Sequence, residues 1–538
     1  MLDRDNAVTS KDTFRGFYTL FWLCVAILVL NLFMQSWHTT GELLSMTFAS
    51  LMSRDAMMLA LSDAVLVSGT FVTVPCVKIL HKYRFRYQGR QIIFLWLWHC
   101  VMIGMVIAWT RVRAWPWVQS GFFVMHSFVM MMKVHSYMMV NGIMSDAYND
   151  MEVAEAKLVK RLAEFYNTDV NEAWARAVRD SSICPAPSPL AAFDDMPQED
   201  PFEVWASRSM QTGSSMERAH KCLPRLHSQI PRARSPMPEH QRLVAALDHE
   251  KLSEHPKKSD VGVKSHDVRD PHPFAWHPDP TTKQLAMQIA QLRELLYPDL
   301  DQHNNLGPMW PYNVSIANFW DFQLVPSLVY KLQYPRTDRV RPEYVLERTF
   351  ALFGTFFVLY VVTVNLIMPV TIDEDNDFTS VFLRLGPPMM LCYLLIFYLM
   401  FECICNGFAE LTRFADREFY QDWWNSRSMD EFSRKWNRPV HHFLLEHVYV
   451  TLIFNWGASK RHAALLTFFF SSILHEIVMI IVSGKVRGYL FMAQMSQYPL
   501  ILLAQTKFIK NNPTLGNLLF WIGMMIGFPL LNIAYLVF

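Results

Sequence analysis

Apolar runs of about 20 residues recur along this 538-residue chain, and they constrain its fold more than any other feature. A bilayer core of roughly 30 Å is crossed by about 20 mostly apolar residues in helical form. Nine stretches meet that demand: 17–36, 56–79, 91–110, 117–132, 350–370, 383–407, 462–482, 488–505 and 515–536. Composition agrees, since 52% of the residues are hydrophobic and 18% charged, too apolar a balance for a soluble domain of this length. The predicted fold is all-α: a polytopic membrane protein of about nine transmembrane helices.

The formal net charge of +1 comes from basic residues scattered through the loops, which excludes a nucleic-acid-binding face. Of the eight cysteines, six (Cys24, Cys76, Cys100, Cys392, Cys403, Cys405) fall in the apolar runs and none forms a C-x-x-C pair, so they read as small buried hydrophobes. The opening MLDRDNAVTSKDTFRGF lacks a signal peptide's short apolar core and cleavage site, and the first span is expected to serve as the insertion signal.

Excess Lys and Arg mark cytosolic loops, so HKYRFRYQGR (81–90) points to the cytosol and TIDEDNDF (371–378) to the lumen. Nine crossings from a cytosolic N-terminus (1–16) satisfy both, with Arg111 and Arg113 left as exceptions on the lumenal side. The first spans occupy 17–142. Residues 143–310 turn Pro-rich, charged and His-rich, a composition that predicts a largely disordered cytosolic linker with short helices at 150–166 and 281–297. Residues 311–538 form the second membrane region of this scheme. Asn313-Val314-Ser315 matches a glycosylation sequon but falls on the cytosolic side. Within 408–461, aromatics and charges alternate at helical spacing over stretches too short to span, the pattern of helices lying at the membrane interface.

In TFFFSSILHEIVMIIV (467–482), the ionisable pair His475 and Glu476 interrupts an apolar run. A charge near the bilayer centre costs about 2.5–3.5 kcal/mol even on lenient scales, so a polar pair kept there points to work rather than packing. A neutral imidazole is the form hydrocarbon tolerates, and it is also the form that accepts a proton as a general base. Glu476 projects about 100° round the helix from His475, so the two face different surroundings. No metal is indicated, because HEIVM places Met479 where the zinc pattern H-E-x-x-H needs its second His. The spacing His255 to Asp260 falls in the linker and reads as chance. Neither a nucleophile elbow nor a Gly-rich phosphate loop occurs.

Taken together, FYQDWWN (419–425), SRKWNRPVH (433–441) and SSILHE (471–476), with MMMKVHSY (130–137), resemble the acyl-CoA branch of the membrane-bound O-acyltransferase family. That branch includes sterol and diacylglycerol acyltransferases. The resemblance runs from about residue 310 to 538. It implies that His475 is the catalytic histidine and Asn437 the asparagine paired with it. It implies acyl-CoA contacts from Phe419, Tyr420, Asp422, Trp423, Trp424 and Asn425, and CoA contacts from Arg434, Lys460 and Ser471. His441, Gln497 and Glu476 would lie on the tunnel or acceptor side. It further implies a chamber enclosed by the helices, no cofactor (acyl-CoA being a substrate), the endoplasmic reticulum membrane and a homo-oligomer.

Acyl transfer from a thioester needs a base for the acceptor hydroxyl and a donor for the oxyanion on the carbonyl. His475 suits the first role; Asn437 suits either the second or the holding of the thioester. MKVHSY (132–137), YPRT (334–337) and KWNRPVHHFLLEHVY are most similar to the sterol enzymes of fungal type, and Phe528 precedes Pro529 where diacylglycerol enzymes carry Gln. The expected reaction is esterification of a membrane-dissolved sterol, with diacylglycerol as the rival acceptor. A multi-pass lipid transporter or sterol-binding scaffold is the reading from another class, and it predicts translocation without an ester product.

Overall fold

The computed structural model describes residues 15–42, 50, 53–87, 92–183, 274, 277–296, 310–370 and 378–537. Among these, helices account for all the regular structure, and the sole extended pairing is one antiparallel bridge between Arg336 and Phe414. Seven helices of the described residues are long and apolar enough to cross a membrane: Thr19–Thr39, Ala56–Lys82, Ile92–Arg113, Pro342–Ile367, Phe378–Leu411, Lys460–Ser483 and Pro513–Tyr535. The chain is thus an all-α polytopic membrane protein.

Two of the nine expected spans take another form. Residues 117–132 belong to a 50-residue helix, Trp117–Tyr166, whose second half is rich in charge. Residues 488–505 break into Tyr489–Met495 and Gln497–Ala504. At 1.5 Å per residue, neither piece spans more than about 12 Å. Pro499 explains the break: it has no N–H for the carbonyl four residues earlier and its ring would crowd that carbonyl, so it sits in the first turn of the second piece.

The chain divides into two compact units. One comprises residues 1–78, 92–139 and 314–538, and the other 79–91 and 140–313. The first carries the membrane-crossing helices apart from the last turn of Ala56–Lys82. One of its core clusters is aromatic: Phe397, Phe401, Phe414, Phe419, Tyr420, Trp423 and Phe520 are buried, with Trp424, Phe432, Trp436 and Trp521 packed around them. The lumenal exceptions of the charge pattern have partners in this unit. Arg113 pairs with Asp55 at 3.1 Å. The Arg111 guanidinium lies 3.0 Å from where a Cβ on Gly484 would stand. Gly484 ends the Lys460–Ser483 helix at φ 74°, which a glycine adopts without strain, and a cation there faces the negative end of the helix dipole.

In the second unit the described part of the basic segment, 81–87, is partly neutralised by one face of the Trp117–Tyr166 helix. Arg84 pairs with Glu152 at 2.7 Å and Arg86 with Asp150 at 2.8 Å, while the Tyr87 N–H donates to Asp146 at 3.0 Å. Burial pushes the Asp146 carboxyl up to about 7, against the opposing pull of the Tyr87 N–H and Arg86. The helices expected at 150–166 and 281–297 are present, and the N-terminal end of the expected linker is helical to a greater extent than composition suggested. The long helix runs on to Tyr166, and Val170–Ile183 and Pro280–Leu296 follow. The reason is an apolar stripe at helical spacing: Ala154, Leu158 and Leu162, then Ala173 and Ala177, then Ala286, Ile289 and Leu292, all buried. Asp279 caps the last of these helices, accepting the Thr282 N–H at 2.9 Å while pairing with Arg161 at 3.0 Å. Residues 184–273, with the His255–Asp260 spacing, lie outside the described residues. Asn313 is fully buried and donates to Asn141 at 2.8 Å, which closes the sequon to glycosylation.

Candidate active site

Lys460–Ser483 begins where the Ser459 side chain accepts the His462 N–H and ends at Gly484, so both termini are capped. Within it the ionisable pair divides as helical geometry requires: His475 is exposed and Glu476 is buried. His475 Nδ1 lies 2.7 Å from the carbonyl oxygen of Ser471, one turn back. A carbonyl oxygen only accepts, so Nδ1 carries the hydrogen and Nε2 of the neutral ring keeps its lone pair. The residue is exposed, and Nε2 is therefore a reachable proton acceptor. Ser471, expected at the CoA, meets the base through its backbone. Glu476 turns the other way and accepts the N–H groups of Gly488 at 2.7 Å and Phe491 at 3.0 Å, an anchoring role in place of the expected tunnel position.

Asn437 lies between two short helices, Met429–Trp436 and Arg438–Phe443. Its Oδ1 accepts the Val440 N–H at 3.2 Å and so caps the second helix. That bond orients the amide, and the Nδ2 group, with two N–H donors, has no partner among the described residues. An amide held by its oxygen with its nitrogen free suits donation to a carbonyl or an oxyanion.

The FYQDWWN and KWN segments are clipped together through the backbone: Gln421 N–H donates to Lys435 O at 2.9 Å and Arg438 N–H to Phe419 O at 3.0 Å. Side chains reinforce the clip, Lys435 pairing with Asp422 at 3.0 Å and Arg438 with Glu418. Burial pushes the Asp422 carboxyl up, but the hydrogen bond and charge of Lys435, helped by Asn425, outweigh it and hold the carboxyl below its ordinary range. Phe419, Tyr420 and Trp423 are 2–3% exposed and belong to the aromatic core, where they are out of reach of a CoA headgroup; Asp422 and Asn425 face outward, and Trp424 is half-buried. Tyr420 donates its hydroxyl to the buried Glu402, which also meets Arg348 at 3.5 Å.

Arg434 reaches Asp430 at 2.8 Å, and Lys460 opens the histidine helix at an exposed position. His441 is half-buried, and burial, then His442, Arg434 and Arg438, push its imidazole down to about 3; burial and Arg438 push His442 down to about 4. Gln497 is half-buried at the start of its helix, and that helix packs against Met429–Trp436. Leu444–Tyr449, a π-helical turn continuing Arg438–Phe443, packs against the histidine helix.

Supporting residues beyond the motifs also emerge. Asn517 donates to the carbonyls of Trp424 and Ser426, each at 2.9 Å, and Trp521 Nε1 to Trp424 O at 3.1 Å. Gly516 makes room for this, since a Cβ there would stand 3.0 Å from Arg427 O. A Gly-Asn pair inside an apolar span was the available signal. MMMKVHSY braces the site from behind: Lys133 donates to Phe322 O at 2.7 Å and Val325 O at 2.8 Å, and Ser136 accepts the Tyr330 N–H at 2.7 Å. The His135 ring lies 5.7 Å from the rings of both Phe443 and His447.

Comparison with known proteins bears on these features. The profile of the membrane-bound O-acyltransferase family matches residues 302–537. A probable sterol O-acyltransferase 1 of Schizosaccharomyces pombe is 30% identical, covering 98% of this chain and 83% of its own length. A probable sterol O-acyltransferase 2 of the same yeast is 29% identical, over 98% of this chain and 87% of its own. A diacylglycerol O-acyltransferase 1 of Dictyostelium discoideum is 38% identical over a shorter reach, 42% of this chain and 38% of its own.

Proposed function

This chain belongs to the membrane-bound O-acyltransferase family, and we propose that it is an acyl-CoA-dependent sterol O-acyltransferase. It moves a long-chain fatty acyl group from acyl-CoA to the 3-hydroxyl of a sterol, yielding a steryl ester and CoA. The observation that carries the chemistry is the tautomer of His475, fixed by the Ser471 carbonyl with Nε2 left reachable within a membrane-crossing helix.

The steps balance without a cofactor. Nε2 takes the proton of the sterol hydroxyl as its oxygen attacks the thioester carbon, and the Nδ2 group of Asn437 donates to the resulting oxyanion. The tetrahedral intermediate collapses with cleavage of the C–S bond, and the imidazolium returns its proton to the departing thiolate. Apolar substrates dissolve in the bilayer and reach an intramembrane base, while Arg434 and Lys460 supply positive charge for the CoA phosphates. The sterol acceptor is supported by the near-full-length similarity to sterol enzymes, against a partial match to the diacylglycerol enzyme. The endoplasmic reticulum membrane and a homo-oligomer complete the proposal.

The test uses membranes holding wild type or His475→Ala at matched abundance, given labelled oleoyl-CoA with sterol or diacylglycerol and analysed by lipid chromatography. Steryl ester from wild type, lost in the variant, is the expected result. Triacylglycerol instead would transfer the assignment to the diacylglycerol enzymes, and ester formation undiminished by His475→Ala would refute the mechanism.

A further inference from the structure

Glu476, next to the base, is 7% exposed, and its two oxygens are engaged by another part of the chain. Oε1 accepts the Gly488 N–H at 2.7 Å and Oε2 the Phe491 N–H at 3.0 Å. Gly488 is the N-cap of Tyr489–Met495 and Phe491 its third residue, so these are N–H groups that find no acceptor inside that helix. The hydroxyl of Tyr535, from the final helix, donates to the same carboxylate at 3.3 Å and accepts the Leu490 N–H at 3.3 Å. Arg487 then donates to the Tyr535 carbonyl at 2.7 Å. One turn back along the histidine helix, Ser472 Oγ donates to Gln494 Oε1 at 3.2 Å, fastening the far end of the same short helix.

The short helix is thus pinned to the histidine helix at both ends, and its own hydrogen bonds would not hold it. Two helical turns are too few to be stable alone in any solvent that competes for the backbone. Beyond Ser496 it passes directly into Gln497–Ala504, which packs on the helix that Asn437 terminates. A continuous mechanical path therefore runs from Glu476 through Tyr489–Met495 and Gln497 to the Asn437 corner.

We propose that Glu476 is a positioning residue of the transferase. Its carboxylate locks the Gly488–Phe491 turn to the histidine helix and so sets the spacing between His475 and the wall that carries Gln497 and Asn437. It acts through the backbone it caps, with no proton transfer of its own. The inference rests on the proposed acyl transfer for its kinetic consequence but not for the latch itself. Replacing Glu476 by Gln keeps the shape and one acceptor while setting an amide N–H₂ against a backbone donor, which releases half of the latch.

The test uses the full chain in lipid nanodiscs as wild type, Glu476→Gln and Tyr535→Phe. Amide hydrogen exchange is followed over 484–496, alongside steady-state kinetics with labelled acyl-CoA and sterol. In Glu476→Gln, exchange at Gly488–Phe491 should accelerate about tenfold or more, as expected for loss of a charged hydrogen bond. The kcat should drop by about tenfold while the KM for acyl-CoA stays within about twofold and both limbs of the pH–rate profile remain. Tyr535→Phe should move both readouts the same way by a smaller factor. Unchanged exchange in Glu476→Gln would overturn the latch, and faster exchange at wild-type kcat would overturn its positioning role. Loss of a limb of the pH profile would overturn it in favour of direct proton transfer. Should wild type form no ester with any acceptor, the proposed function fails, and exchange alone still decides whether the latch exists.

Discussion

Two neighbouring regions of the site are built on opposite principles. In the stretch from Phe419 to Phe443, aromatic rings are buried against one another, with Trp423 centroids 4.8 Å from Trp436 and 5.3 Å from Phe397, and the backbone of one motif is bonded to that of the next. In the Lys460–Ser483 helix the His475 imidazole is exposed, and its hydrogen bond runs to a carbonyl of its own helix. The rings of FYQDWWN are therefore mostly scaffold, while the proposed chemistry rests on one exposed side chain. Substitutions in the two regions should fail in different ways.

The largest effect should come from His475→Ala. Removal of a general base costs about 10²- to 10⁴-fold in rate, and because the side chain is exposed, the melting temperature should stay within a few degrees of wild type. Assays of kcat and thermal melting on the same preparation check both halves. Trp423→Ala should show the reverse: about 3–5 kcal/mol of stability lost with the buried ring, seen as a collapse in membrane abundance, while the folded remainder keeps its turnover. A Trp423→Ala protein of normal abundance but no activity would erase the contrast. Between these lies Tyr420→Phe, which removes the hydroxyl that donates to the buried Glu402 carboxylate and should destabilise by about 1–3 kcal/mol in thermal or denaturant melts.

This division explains what could be read from residues alone. Apolar runs declare membrane helices because hydrocarbon leaves the backbone no alternative, and His475 stood out because its run is otherwise apolar. Residues 117–132 were misread because an apolar window does not reveal that its helix continues into charge, and 488–505 because Pro499 halves it. Motif residues such as Phe419 and Trp423 carry no mark that separates a ring facing a ligand from one facing the core. Glu476 was visible as a buried acid, but its partners are backbone N–H groups 12 and 15 residues on, and no side-chain pattern encodes those. The bracing of Trp424 by Asn517 spans 93 residues, and although a Gly-Asn pair in an apolar span marks one end, nothing in the sequence names the carbonyl it reaches.

Acid should weaken the Asn437 corner before it weakens the second unit. His441 and His442 stay neutral in the fold down to about 3 and 4, whereas the unfolded chain protonates near 6.5. Between those values the unfolded state binds more protons, so their contribution is whole above pH 6.5 and declines as pH falls. Asp146 has the opposite sign: its folded value of about 7 exceeds the ordinary 3.8, so the folded state takes up a proton first and the second unit gains as pH falls towards 4. Glu446, pushed up to about 7 by burial, has the sign of Asp146 and offsets part of the histidine effect in the turn that follows, so hydrogen exchange from pH 7 to 5 should show peptides from 438–443 losing protection relative to those from 140–150. The double substitution His441→Gln with His442→Gln should flatten the first trend and leave the second.

The smallest effect should come from Asp422→Asn, which tests whether the salt bridge or the backbone holds the two motifs together. The Asp422 side chain is 52% exposed and Lys435 19%, so solvent screens the pair, and its loss should cost under about 1 kcal/mol in melting experiments at pH 7. Its carboxyl titrates below 3.8 in the fold, so the contribution is complete above that pH and vanishes only as pH drops through the lower folded value. Wild type and Asp422→Asn should accordingly differ slightly at pH 7 and converge in strong acid. The backbone bonds from Gln421 to Lys435 and from Arg438 to Phe419 remain in the variant, and the aromatic core beneath them is untouched. A loss several times larger would mean that the ion pair, rather than the backbone clip and the rings below it, holds the two motifs together.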